Sequence, residues 1–184
     1  MGLKKVVFLD RDGVINKDSP NYIKSWSEFN FIQGSLEAIA LLKSNKFSTI
    51  VITNQSAINR NMISEKGLAH IHFMMKQTIE ESGGLIKEIF YCPHTPDNGC
   101  NCRKPMPGLI NRAEKLYDID LADSVMVGDS AKDIQCAQNA GCGKTVLVKT
   151  GDYNNAISIL SEKNISPSYI AKDLYNAVRW IINL

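Results

Sequence analysis

An α/β fold, a parallel sheet with helices on both faces, is the architecture this sequence predicts, and three observations carry it. Short apolar runs of strand length alternate with longer amphipathic stretches of helix length, the pattern of a parallel sheet joined by crossover helices. The residues able to do chemistry cluster where those runs end, and ligands of such folds bind beyond the carboxyl ends of the strands. The 184 residues hold no internal repeat, low-complexity tract or linker, which fits a single domain over residues 1–184.

The first expected strand is Val6–Asp10, an apolar run ending in Asp10-Arg11-Asp12-Gly13. Side chains alternate along extended backbone, so Asp10 and Asp12 are expected on one side, and Gly13 lets the chain turn away. The expected helix Ser35–Asn45 presents Leu36, Ile39, Ala40 and the stem of Lys43 as one stripe. The strand Ser48–Thr53 runs into Asn54-Gln55-Ser56, and the helix Ser64–Ser82 is bounded by a capping serine and by Gly83-Gly84. The strand Glu88–Cys92 precedes a loop to Pro107, and the helix Pro107–Tyr117 follows. Then come the strand Ser124–Val127, the helix Ala131–Ala140 ending at Gly141, and the strand Thr145–Val148. A helix at Tyr153–Glu162, an extended piece at Tyr169–Ala171 and a helix at Leu174–Ile182 complete the chain. Two irregular connections stand out, Lys17–Phe31 and Pro93–Pro107, and long loops over a sheet edge often carry function.

Bulk properties remove several classes. A formal net charge of +2 gives no electrostatic basis for nucleic acid or an anionic membrane as partner. No apolar run reaches the length of a membrane span, and the opening Met-Gly-Leu-Lys-Lys has no secretory pattern, so a cytoplasmic protein is expected, with a monomer as the default. Gly141-Cys142-Gly143-Lys144-Thr145 resembles a nucleotide phosphate loop only in part, lacking the upstream spacing.

The strand ends carry the chemistry. Two carboxylates one residue apart can bind a hard cation such as Mg²⁺ and divide covalent from acid–base work. Thr53, Asn54, Gln55 and Ser56 offer hydroxyl and amide groups to an oxygen-rich ligand, or form a polar turn. Arg103 and Lys104, before Pro105, can meet phosphate oxygens as a fork and a point charge, or stay solvated. Asp129 can complete a carboxylate set with Asp10 or cap the helix after it, a role Ser130 can equally fill. Asp133 either steadies Lys104 or faces solvent. Cys92, His94, Cys100 and Cys102 form two pairs, each with one intervening residue. Three thiolates and one imidazole make a closed tetrahedral set for structural zinc. A reduced cluster without metal, or a disulfide, is the alternative. Cys136 and Cys142 read as small core residues. Because Cys102 directly precedes Arg103 and Lys104, fixing the loop would preorganise both cations.

The order Asp-x-Asp, Thr, Lys, Gly-Asp-x-x-x-Asp, each after an apolar strand, resembles the haloacid dehalogenase superfamily of phosphotransferases from Val6 to about Val148. Within it, Phe8 to Asn16, Thr53 to Ser56, and Cys92-Pro93-His94 through Cys102-Arg103-Lys104-Pro105 resemble the D-glycero-D-manno-heptose-1,7-bisphosphate 7-phosphatases, a zinc-loop branch. The likeness implies a Rossmann-like three-layer fold without a large cap domain, and phosphomonoester hydrolysis through an aspartyl-phosphate in making nucleotide-activated heptose. It makes Asp10 the nucleophile and Asp12 the proton carrier, with Thr53 and Lys104 on the phosphoryl oxygens. Mg²⁺ is expected on Asp10, the backbone carbonyl of Asp12 and Asp129. Substrate contacts are expected from Asp18, Ser19, Pro20 and Asn21, from Asn54, Gln55 and Ser56, and from Arg103, with a sugar bisphosphate as the small-molecule partner. Three departures touch substrate recognition: Ala57 where the family commonly has Gly, Arg60-Asn61 for Arg-Gly, and Ser130 for a common Lys. Histidinol-phosphate phosphatases share the compact zinc loop and are the alternative. A catalytically inactive zinc-stabilised binding module is a third reading, and it has no need of the five site residues Asp10, Asp12, Thr53, Lys104 and Asp129.

Overall fold

In a computed structural model that describes residue 3 and residues 5–184, the apolar runs of the sequence become strands β1 (Val6–Leu9), β2 (Ser48–Asn54), β3 (Glu88–Cys92), β4 (Val125–Gly128), β5 (Lys144–Val148) and β6 (Tyr169–Ala171). The amphipathic stretches become helices α1 (Ser35–Ser44), α2 (Glu65–Glu81), α3 (Gly108–Tyr117), α4 (Ala131–Ala140), α5 (Tyr153–Glu162) and α6 (Leu174–Ile181). The reading of Met1, Gly2 and Lys4 as a non-secretory start lies outside the described residues.

The strands are all parallel, in the order β3-β2-β1-β4-β5-β6. Period-two alternation divides the core between the two faces. Val7, Leu9, Val51 and Val127 point toward α1, α2 and α6, whereas Phe8, Ile50, Ile52 and Met126 point toward α3 and α4. A third cluster joins Leu147 to α4 and α5. Both faces of the central strands β1, β2 and β4 are thus buried, which is why these runs are almost continuously apolar rather than alternating.

The strand order reverses direction between β1 and β4. Chain leaving β1 continues toward β2 on one side, and chain leaving β4 continues toward β5 on the other. The crevice that opens at such a reversal is the usual ligand site of a doubly wound sheet. Asp10 follows β1 and Asp129 follows β4, so the topology alone brings the two together.

Local differences from the sequence reading have physical reasons. β1 stops at Leu9 because the carbonyl of Arg11 accepts from the N–H groups of Ile15 and Asn16, curling the chain into a turn. Asp10 and Asp12 are therefore not neighbours on one extended strand. The buried face of α1 is Ser35, Ala38, Ile39 and Leu42. Lys43 is exposed and donates to the carbonyl of Gly84, so the stripe is rotated from the expected one. Helix α2 starts as read, with Ser64 Oγ accepting from the Gly67 N–H at 3.1 Å.

Candidate active site

Lys104 is the hinge of the site. Its side chain is buried, and its ammonium pairs with two carboxylates, Asp10 Oδ2 at 2.9 Å and Asp133 Oδ1 at 2.6 Å, and donates to the Ile52 carbonyl at 2.9 Å. Burial alone would lower its pKa, but Asp10 and Asp133 more than reverse this and hold it charged. Asp133 therefore steadies Lys104 rather than facing solvent, and it is fully buried. Its other oxygen accepts from the N–H and hydroxyl of Ser130 at 3.0 and 2.7 Å, forming the capping box of α4. Ser130, not Asp129, is the cap. Asp129 is left free for the site.

Asp10, Asp129 and Asp133 place carboxylate oxygens within 4.8 Å of one another. Burial, with repulsion from Asp133 and Asp12, pushes the Asp10 carboxyl up to about 7 despite Lys104. Burial together with Asp133 and Asp10 pushes Asp129 up to about 8. A buried acidic set with one ammonium is short of positive charge, and hard carboxylate oxygens are the donors Mg²⁺ takes. The residues fit that ion. Since Asp133 serves Lys104 and Ser130, Asp10 and Asp129 are the carboxylates left to hold it.

Asp12 is held apart from this set. Arg11 Nη2 donates to both of its oxygens at 2.9 Å, Asn16 Nδ2 to one at 2.9 Å, and Gln55 Nε2 to the other at 2.8 Å. Burial alone would raise the Asp12 carboxyl, but Arg11, Asn16 and Gln55 outweigh it and hold it below the usual carboxylate range. Asp10 and Asp12, chemically identical and two residues apart, are thus driven in opposite directions by their surroundings.

A cavity of about 360 Å³ opens over these groups. Asp10, Asp12, Thr53, Lys104 and Asp129 line it, as do Asp18, Ser19, Pro20, Asn54, Gln55, Ser56 and Arg103. Asn21 does not; it lines an adjoining hollow that Asp18 and Ser19 share. Two of the expected substrate contacts also have duties within the protein. Asn54 accepts from the Lys104 N–H at 3.1 Å and donates to the Lys104 carbonyl at 3.2 Å, pinning that residue's backbone. Gln55 bridges Asp12 and Thr53 Oγ1.

Arg11, Tyr22, Ile23, Ser130, Lys132 and Asp152 also line the cavity and were not among the expected site residues, and the segment Thr150–Asp152 was missed altogether. Thr150 Oγ1 donates to the carbonyl of Gly13, and the Asp152 N–H donates to Asp129 Oδ2 at 3.2 Å. Gly13 and Gly151 bracket the Asp129 carboxylate: a Cβ on either would lie 2.3 or 1.9 Å from Asp129 Oδ2. Gly13 also has φ +80°, so its lack of a side chain serves the turn as well. The signal available was a Thr-Gly-Asp run one residue beyond an apolar strand, weak by itself.

Beside the cavity, Cys92, His94, Cys100 and Cys102 converge. The sulfur–sulfur separations are 3.1, 3.5 and 3.7 Å, and His94 Nδ1 lies 3.5 and 3.2 Å from the sulfurs of Cys92 and Cys102. Tetrahedral ligands at about 2.3 Å from zinc stand about 3.8 Å apart, close to these edges. All five cysteines are free in this structure, and the convergence of three sulfurs and one imidazole nitrogen fits Zn²⁺. Arg103 Nη1 donates to the His94 carbonyl at 2.9 Å, tying the cavity wall to the loop.

Comparison with known proteins gives a consistent picture. Residues 101–177 match a family model described as HAD-hydrolase-like. The D-glycero-β-D-manno-heptose-1,7-bisphosphate 7-phosphatase of Bordetella bronchiseptica is 44% identical over 148 residues, covering 80% of this chain and 82% of that one. The enzyme of the same name from Pseudomonas aeruginosa is 43% identical, over 80% and 83%. Among solved structures, the D,D-heptose 1,7-bisphosphate phosphatase of B. bronchiseptica, complexed with magnesium and phosphate, superimposes with a TM-score of 0.90 at 38% identity, over 97% of this chain and 98% of that one. The Burkholderia thailandensis enzyme gives 0.74 at 28% identity, over 98% and 100%.

Proposed function

The chain belongs to the heptose-bisphosphate phosphatases, a family of haloacid dehalogenase-like hydrolases, and from that premise we propose that it removes the 7-phosphate of D-glycero-D-manno-heptose 1,7-bisphosphate with Asp10 as nucleophile. The observation that carries this reading is the convergence of four chain segments on one cavity. Asp10 and Asp12 come from the turn after β1, Thr53 from β2, Lys104 from the loop after β3, and Asp129 from the end of β4.

Asp10, the backbone carbonyl of Asp12 and Asp129 would hold Mg²⁺. When bound, the ion offsets repulsion between the anionic nucleophile and the phosphate and keeps the phosphoryl group in line. The Asp10 carboxylate attacks phosphorus, the bond from phosphorus to the C7 oxygen breaks, and an acyl phosphate forms on Asp10. Asp12 gives its proton to the departing oxygen, then takes one from the water that attacks the same phosphorus, breaking its bond to the Asp10 oxygen, releasing inorganic phosphate and restoring the Asp10 carboxylate. Arg11 holds Asp12 ionised in the free protein, so its proton arrives with the substrate, whose negative charge raises a carboxyl beside it. Lys104, fixed by Asp133 and the Ile52 carbonyl, stays charged beside Asp10 and meets an equatorial oxygen, as does Thr53.

Arg103, Ser19 and Ser56 reach the same cavity and supply a cation and hydroxyl groups for the sugar and its remaining phosphate. Zinc on the cysteine loop has a structural part in this reading, holding Arg103 and Lys104 in place. Among the described residues, no helix is long and apolar enough to cross a membrane. A cytoplasmic monomer acting on a small metabolite, in the route to nucleotide-activated heptose, completes the reading.

The test is phosphate release with Mg²⁺ from both anomers of heptose 1,7-bisphosphate, from fructose 1,6-bisphosphate and from histidinol phosphate. The highest kcat/KM is expected for a heptose bisphosphate, leaving heptose 1-phosphate. A wide preference for histidinol phosphate would overturn the substrate and leave the chemistry standing.

A further inference from the structure

Arg11 stands between the two carboxylates of the site, yet only 1% of it is exposed. Its Nη2 donates to both oxygens of Asp12 at 2.9 Å and its Nε to one at 3.2 Å. Its Nη1 turns the other way and meets Nε2 of His72 at 3.3 Å. That histidine lies on α2, 61 residues along the chain, and is 8% exposed. Burial first, and then the Arg11 guanidinium, push its pKa down to about 3, so the ring is neutral. A neutral imidazole that faces an N–H with Nε2 must accept there and carry its own proton on Nδ1. Among the described residues His72 is the one hydrogen-bond partner of Nη1.

We propose that His72 is a positioning residue for Asp12, acting through Arg11: its Nε2 fixes the far side of the guanidinium fork so that the near side presents Asp12 in one orientation. The proposal rests on the reading of Asp12 as proton carrier. A proton donor works only with its oxygen within hydrogen-bond reach of the leaving group, and Asp12 sits in a turn rather than on a strand. Gln55 and Asn16 hold Asp12 from one side, and the guanidinium holds it from the other. A fork bound to one carboxylate alone can swivel with it. Anchored at both ends, it cannot, and α2 supplies the second anchor.

A purely structural role for His72 makes a different prediction: lower thermal stability with turnover unchanged below the melting transition. Steady-state kinetics on the full chain with heptose 1,7-bisphosphate and saturating Mg²⁺, well below the melting temperature, separate the two. His72→Leu keeps bulk and removes the acceptor, and should lower kcat by about tenfold or more, as loss of an orienting partner does for a metal ligand, with KM little changed. His72→Gln offers a carbonyl oxygen to Nη1 and should recover most of the loss. Wild-type kcat in His72→Leu, or equal slowing in both variants, would overturn the proposal. Should His72→Leu fail to fold, Arg11→Lys carries the test, since it keeps the charge without the fork; a full kcat there overturns the proposal equally. Asp12→Asn separates the two levels of inference. If it turns over normally, the reading of Asp12 itself fails; if it is inactive while His72→Leu runs at full rate, only the role of His72 fails.

Discussion

Two long loops wall the same cavity, and they are held in place by opposite means. Residues 17–31 are fixed by burial: Trp26 stacks on Phe29 at 5.0 Å, Phe31 packs edge-on against both, and Ile23 and Phe29 join the core on the side of α2. Residues 93–107 have little apolar surface to bury where they leave the edge strand β3. Four ligand atoms drawn together take the place of a core, with Arg103 and Asn54 tying the loop to its neighbours. A loop over a core can be fixed by aromatic side chains, whereas a loop at a sheet edge needs another source of order, and a structural metal supplies it. The first loop should therefore respond to lost packing and the second to lost metal.

The largest effect should come from a change that disturbs neither loop. Asp10→Asn should keep both loops and the fold while turnover falls on the order of 10³-fold or more, because no other group can take its covalent role. Near-normal phosphate release would break the account at its root.

Zinc removal comes next. A chelator, or Cys100→Ser, should lower kcat/KM by about 10–100-fold and lower the melting temperature together. Lys104 keeps its contacts with Asp10 and Asp133 whereas Arg103 loses the His94 carbonyl, so KM should suffer more than kcat. Purified protein without zinc, unmoved by chelation, would erase the contrast between the loops.

Phe29→Ala tests the other loop. It should cost about 3–5 kcal/mol of stability, the usual range for a buried phenylalanine, with a smaller loss of kcat/KM than zinc removal and no change in zinc content. If zinc content fell as well, the two loops would not be independent.

The smallest effect concerns the acidic set between the loops. Asp10 and Asp129 have folded-state values raised from 3.8 to about 7 and about 8. A raised carboxyl contributes stability that is complete below its unfolded value and is lost as pH rises through the folded one. Without metal, these two groups should therefore erode stability between about pH 4 and pH 8. Mg²⁺ binds the ionised form, so its gain in melting temperature should be larger at pH 8 than at pH 5. His72, lowered from 6.5 to about 3, acts in the opposite sense as pH falls, but it does so with or without Mg²⁺ and cancels in the difference. An equal gain at both pH values would remove the acidic set as the metal site.

The fold was legible because apolar runs and helical stripes fall in simple order, and the site because its residues stand at strand ends in a doubly wound sheet. The cysteine loop was legible too, since its four ligands lie close in sequence and need no tertiary contact to be seen together. Arg11 was in plain view between two aspartates, but its burial and direction depend on His72 on a distant helix, and a lone histidine on an amphipathic helix carries no such signal. Asp129 as cap or site residue was undecidable until Ser130 and Asp133 were seen to complete the cap. The Gly151 approach to Asp129 was invisible for the same reason, because it is a tertiary contact between two strand ends.

The central claim is that the phosphoryl group passes through Asp10, and peptide mass spectrometry of protein quenched in acid during turnover of heptose 1,7-bisphosphate tests it most directly. A phosphoryl adduct on the peptide carrying Asp10, present in the wild type, enriched in Asp12→Asn and missing from Asp10→Asn, is the expected result. Turnover with no adduct in any of the three, or an adduct on another residue, would contradict it.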